Sequence, residues 1–290
     1  MANSTVLNVL LRVYDQCRNR GVPFFGPYSK LNAVMWRILK AAQWSFMESS
    51  GTLVSVEAYN TGTVSVTNGS ADITGDTTVW TDAMTGRKIC IDGGTVEYTF
   101  TYVNGTSGTL DRNYEGETGS GLAYIIAQDV YPLASDFGEM LVLRDASNNK
   151  FLPEWMPEQH EEYYQALSAS GVPEQYALFG EDSNGCQQLR FWPAPGSAIS
   201  YSYRYIKSPT VITAEDDTLD TPSKYDHVVE AMLLAQFTQN PLDKAVAEDC
   251  LTMMVRDNIR HARSYIEKTV PNAGYAIGLG QTPRTLTGPD

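Results

Sequence analysis

Between Thr52 and Asp129 the chain changes character: Thr, Val, Gly, Ser and Tyr dominate, and short β-favouring runs are cut by turn residues. The runs predict strands at Leu53–Tyr59, Thr63–Thr67, Ala71–Thr74, Arg87–Ile91, Val96–Val103 and Leu122–Gln128. Asn68-Gly69, Asp92-Gly93-Gly94 and Asn104-Gly105 supply the turns between them. Short strands with tight turns are expected to close into a small β-barrel or β-sandwich, a module of residues 52–129 inserted into the rest of the chain. Arg87, Lys88 and Arg112 are its only basic residues, which makes it a poor platform for nucleic acid.

The flanks read as helix. Val6, Leu7, Leu10, Leu11 and Tyr14 recur at three- and four-residue steps behind Ser4 as N-cap, and Gly21 and Pro23 end the run. A second helix is predicted from Ser29 to Glu48 on the stripe Leu31, Val34, Met35, Ile38, Leu39, Ala42 and Phe46, antiparallel to the first. Trp36 and Trp44 fall off that stripe and are expected to face another helix or another subunit. Further on, Gln187–Trp192 and Ile199–Ile206 read as strands, the second placing Tyr201, Tyr203 and Tyr205 on one face. Pro157–Leu167 reads as helix. Thr221 and Pro222 open another helix, with Tyr225, Val228, Val229, Met232, Leu233 and Phe237 as its apolar face. The last helix starts after Asn240-Pro241 and reaches Lys268; Leu251, Val255, Ile259, Ala262 and Ile266 form one stripe, and Arg256, Arg260 and Arg263 a basic line beside it. The predicted class is α+β: a helical-bundle body of residues 1–51 and 130–268, the β module of 52–129 inserted in it, and an extended C-terminal tail over 269–290.

Charge narrows the function. The net charge of −13 argues against a protein that grips phosphates. The balance is uneven, because residues 1–40 carry Arg12, Arg18, Arg20, Lys30, Arg37 and Lys40 against Asp15 alone, a local +5 that leaves −18 for the remainder. The basic end is either a solvated face or a contact for an acidic neighbour. No apolar run approaches the roughly 20 residues of a membrane span, and the start lacks the pattern of a signal peptide, so synthesis in the cytoplasm and no membrane contact are expected. Cys17, Cys90, Cys186 and Cys250 are scattered singly, which suggests reduced thiols instead of a zinc cage or disulfide framework. Asn3, Asn68 and Asn104 begin glycosylation sequons that read as turn and capping residues.

The enzymatic motifs fail on spacing. His160-Glu161 meets Tyr164 where a zinc-protease helix needs a second His. Gly278-Leu279-Gly280 runs on to Pro283 and follows no strand, so it is not a dinucleotide loop. Glu158, Glu161 and Glu162 on a short amphipathic segment read as a solvated face before a glycosidase pair. No catalytic, cofactor-binding or metal-ligating residue is assigned, and no cofactor is expected.

Two stretches carry a resemblance. Leu219-Asp220-Thr221-Pro222-Ser223-Lys224-Tyr225, running into Val228-Val229-Glu230-Ala231-Met232-Leu233-Leu234-Ala235 and on to the helix of Asp243–Ile266, resembles the segment of tailed-phage head-to-tail adaptors in which an acidic loop and Pro lead into an Ala-rich helix. Gly62–Ser70, Val79-Trp80-Thr81, Met84–Arg87 and Leu110–Tyr114 are similar to β insertions of phage structural proteins, and Tyr131–Phe137 to the strand and turn that follow them. Together these cover roughly four fifths of the chain. The resemblance implies a virion protein at the head-tail junction, a homo-oligomer of commonly twelve copies in a ring under the portal protein, in contact with the tail nozzle or other tail proteins. Phage DNA would pass through the bore without specific binding. It implies as well that a terminal extension docks on a neighbour, which makes Tyr275, Ile277 and Leu279 candidate docking residues alongside Arg256, Arg260 and Arg263. The alternative reading is a tail accessory protein whose β module binds a receptor or carbohydrate through Trp80, Tyr98, Tyr102, Tyr114 and Tyr124; those rings are otherwise core. A lytic enzyme is the third.

Overall fold

A computed structural model of the chain describes residues 3–156 and 170–269, the last ten of them by backbone path alone. Strand β1 (Asn3–Thr5) leads into helices α1 (Val6–Asn19) and α2 (Pro27–Lys40). Then come β2 (Glu48–Val54), β3 (Thr63–Val66), β4 (Asp72–Asp76), β5 (Lys88–Ile91), β6 (Glu97–Asn104), β7 (Ser107–Leu110), β8 (Gly119–Leu122) and β9 (Tyr124–Ala127). They are followed by β10 (Val130–Pro132), β11 (Phe137–Asp145), β12 (Lys150–Leu152), β13 (Gln175–Glu181), β14 (Gln187–Trp192), β15 (Ser200–Lys207) and β16 (Thr218–Pro222). Helices α3 (Asp226–Thr238) and α4 (Pro241–Thr269) close the described chain. The residues fall into two compact units: one runs to Met47 and resumes at Pro209, the other is Glu48–Ser208.

The helical-bundle body expected from the sequence does not form. Strand makes up 36% against 28% helix, and the described residues of 130–208, assigned to that body, are built of strands. One strand the sequence did not announce is β11, whose pairing with β15 slips between Phe137 and Glu139 and again between Met140 and Val142. Each bulge resets the two-residue alternation that marks a strand in sequence. The helical stretch predicted over Pro157–Leu167 lies outside the described residues.

In the strand-rich unit, seven antiparallel strands in the order β8-β3-β4-β7-β6-β5-β9 form one curled half-barrel sheet. Its core holds Val64, Ile73, Trp80, Ile89, Phe100 and Ile126, among others. A second sheet has the order β12-β11-β15-β2 and a third β10-β14-β13. Tyr201, Tyr203 and Tyr205 all face their shared core, as the alternation predicts. Opposite Tyr203 stands Gly51, where a Cβ would lie 2.2 Å from the ring. Asp129 and Arg190 form an ion pair at 3.2 Å with the carboxylate almost wholly enclosed.

In the helical unit, α1, α2 and α4 each pack on α3, so the expected pairing of α1 with α2 gives way to a shared partner. Val228, Val229, Met232 and Leu233 of α3 are buried, while Phe237 is half-buried and stacks on Phe24 at 4.4 Å. Ser4 does not cap α1: its hydroxyl donates to Asp226 at 2.6 Å. The first helical N–H groups are met instead by the acidic loop, Val6 donating to the Asp217 carbonyl at 2.9 Å and Leu7 to that of Glu215 at 3.0 Å. The Asp217 carboxylate accepts the N–H groups of Thr213 and Ala214, which hold its pKa below the usual carboxylate range and fix the loop. Thr221 is likewise not an N-cap. It is buried in β16, which pairs with β1, and α3 begins only at Asp226, after a single 3-10 turn. Helix α2 ends at Lys40, short of the predicted Glu48, because the Ile38 carbonyl is taken by the Ala41 N–H and by the indole of Trp44.

Candidate partner-docking site

Among the described residues no helix is long and apolar enough to cross a membrane, and no group of His, Cys, Asp and Glu is placed to hold a metal ion. All four cysteines are free thiols, Cys17 and Cys90 buried and Cys186 and Cys250 half-buried.

The basic N-terminal helices find acidic partners inside their own unit. Arg12 reaches Asp226 at 3.0 Å and Glu230 at 2.7 Å, and Arg20 reaches Asp243 at 2.9 Å. Arg37 pairs with Glu248, Lys30 donates to the Gln236 carbonyl at 3.1 Å, and Lys40 lies over the ring of Trp36. Burial raises the pKa of Glu230, and Arg12 pulls it back. Of the six basic residues in this segment Arg18 alone is exposed with no ion pair or cation-π contact among the described residues. Much of the charge asymmetry in the sequence is thus the signature of α1 and α2 packing on α3 and α4. Spacing offered no sign of which carboxylate meets which arginine, since every pair joins residues more than 200 positions apart.

The docking residues named from sequence are distributed as follows. Arg256 is exposed on α4. Arg260 and Arg263 follow it at the four- and three-residue steps of one helix face, within the same helix, and the surroundings of their side chains lie outside the described residues. Tyr275, Ile277 and Leu279 also lie outside the described residues, as do His160, Glu158, Glu161 and Glu162.

The aromatic residues of the half-barrel do not form a binding platform. Trp80, Tyr98, Tyr114 and Tyr124 are buried and Tyr102 is packed against them. The Trp80 indole donates to the Tyr124 hydroxyl at 3.0 Å, which donates to the Thr61 carbonyl at 2.7 Å. Asn68 and Asn104 act as turn residues, Asn68 donating to the Gly116 carbonyl and Asn104 accepting the Thr106 N–H.

Sequence reasoning missed the exposed apolar stripes. On α1 the buried face is Val6, Val9, Leu10, Val13 and Cys17, so Leu7, Leu11 and Tyr14, read as part of one stripe, look outward. On α4 the buried face is Ala247, Leu251 and Met254; Ile259, assigned to that stripe, is exposed and Val255 half-buried. Trp36 is exposed and Trp44 buried.

Comparison with known proteins gives one family match: the profile described as SU10 adaptor protein fits residues 96–263. No curated protein matches the chain.

Proposed function

Because the chain belongs to the SU10 adaptor protein family, a family of phage adaptors with a structural role, we propose that it is a head-to-tail adaptor, one copy of a ring beneath the portal through which the genome passes and to which the tail attaches. The observation that carries this reading is the extent of the match, since residues 96–263 run from the half-barrel through the second and third sheets and into α3 and α4. Charge supports it. A protein of net charge −13 that lines a bore repels phosphates, which lets a duplex slide instead of sticking. The carbohydrate-binding alternative loses its proposed surface, because four of the five rings are core. In this reading the Arg256, Arg260 and Arg263 line meets an acidic surface of a neighbouring ring, and Tyr275, Ile277 and Leu279 anchor the tail on the portal or on the next subunit. Negative-stain imaging of the purified full chain tests the central claim. Rings with a central hole are expected; trimers or isolated globules would refute it. Truncation after Lys268 tests the tail, with loss of portal attachment by a folded subunit as the expected result.

A further inference from the structure

Helices α1 and α4 each carry two apolar stripes, of which the helical unit covers one. The uncovered stripe of α1 is Leu7, Leu11, Tyr14 and Arg18; that of α4 is Leu242, Val246, Asp249 and Met253. Both follow the same steps of four, three and four residues, which on a helix of 3.6 residues per turn draw a straight line along one side. The exposure is substantial: 38%, 52% and 43% for Leu7, Leu11 and Tyr14, and 74%, 54% and 65% for Leu242, Val246 and Met253. The stripe on α1 lies on the flank opposite Arg12, Gln16 and Arg20; Arg12 and Arg20 reach carboxylates of α3 and α4, and Gln16 lines a groove among the three helices whose α4 rim is Val246, itself 54% exposed. Within the unit Phe24 meets the Tyr14 ring edge-on at 5.6 Å and still leaves it 43% exposed, so the stripe stays open to a partner from elsewhere.

We propose that the α1 stripe of one copy of this chain seats on the α4 stripe of the next, forming the contact that repeats around the ring; the inference rests on the ring reading above. Charge selects this pairing. Arg18 ends one stripe and Asp249 interrupts the other, and neither has an ion-pair partner among the described residues. Either stripe packed on a copy of itself would enclose its charge without a counter-charge, which is strongly unfavourable. Packed on each other, the apolar residues cover one another and the guanidinium gains a carboxylate. Two different patches that fit each other make a heterologous contact, the kind that closes into a ring.

The test uses the full chain and two variants at exposed positions, Leu11→Asp and Val246→Asp, sized by sedimentation velocity, with circular dichroism reporting the fold. Each variant alone is expected to be monomeric where the natural sequence assembles. Mixed in equal amounts they are expected to form a dimer and nothing larger, because the first retains an intact α4 stripe and the second an intact α1 stripe. Variants that assemble like the natural sequence, or a mixture that stays monomeric, overturn this interface and leave the ring reading standing. A natural sequence that never self-associates overturns both. The charge pair gives a second route that leaves the apolar residues in place: Arg18→Asp or Asp249→Arg alone should raise the concentration for half-assembly about tenfold. The double exchange should restore it, and a double exchange no better than either single variant counts against the contact.

Discussion

Asp243 accepts Arg20 through both carboxylate oxygens, each 2.9 Å from the same guanidinium nitrogen, and one of them also accepts the Thr238 hydroxyl at 2.7 Å. The contact ties the end of α1 to the first turn of α4, where a negative charge also complements the helix dipole. Arg20 is nearly half-exposed, so Arg20→Ala should destabilise by less than about 1 kcal/mol. Asp243→Ala removes the helix-end charge and the Thr238 partner as well and should cost about 1–2 kcal/mol in urea unfolding.

The same residue sets a pH dependence. The Thr238 hydroxyl first, and then Arg20, hold the Asp243 pKa below its ordinary value of 3.8. The carboxylate therefore contributes stability that is fully present above that value and is lost as pH falls through the depressed folded pKa. Urea midpoints between neutral pH and pH 3 should fall less steeply for Asp243→Asn than for the natural sequence.

Gly51 lies opposite Tyr203 with no room for a side chain: an added Cβ would meet ring atoms at 2.2 to 2.7 Å. The Tyr203 hydroxyl is held by the Ala134 N–H at 3.1 Å, so the ring cannot swing away freely. Gly51→Ala should destabilise the strand-rich unit by about 1–3 kcal/mol through overpacking, read as a lower thermal midpoint.

Burial pushes Tyr131 up to about 12 and raises Tyr124, Tyr176 and Tyr201 as well. Because the folded values lie above the unfolded one, about 10, the stability these rings contribute is complete below that pH and is lost as pH rises through the folded values. Absorbance at the tyrosinate band should show them ionising only together with unfolding. Ionisation of all seventeen tyrosines at about pH 10 with the sheets intact would contradict the enclosed core.

Leu233 is fully buried at the centre of α3, the helix on which α1, α2 and α4 all pack. Leu233→Asp should destabilise the helical unit by about 3–5 kcal/mol. Hydrogen exchange should then accelerate over Val9–Val13 and Val228–Leu233 while Ile89–Ile91 and Tyr98–Phe100 keep their protection.

Legibility in the sequence followed how regular each element is. β3, β14 and β15 could be read because their alternation is regular, β5 as a short apolar run, and α1, α3 and α4 because their periodicity is long. β7, Ser107-Gly108-Thr109-Leu110, was not among the predicted strands; Gly108 is there because the Phe100 ring fills the place of its side chain. β11 was hidden by its bulges, which break its alternation. The stripes of the candidate interface were visible only as apolar residues at helical spacing, since periodicity reports that a helix has a face and not what covers it. Tyr14 and Leu10 differ in burial because α3 lies on one side of α1 and not on the other.

The pairing of Glu48 with Ile206, at the two ends of the strand-rich unit, has a kinetic consequence. The helical unit joins β1 and α1 to segments more than 200 residues later, and closing a loop of the roughly 160 residues of Glu48–Ser208 as flexible chain costs about 4–5 kcal/mol in entropy. Once β2 and β15 are zipped together, Met47 and Pro209 are neighbours and that search is already complete. During synthesis the strand-rich unit emerges and can fold while α1 and α2 still wait for α3. The layout of the chain thus favours one order of assembly, the strand-rich unit before the helical one.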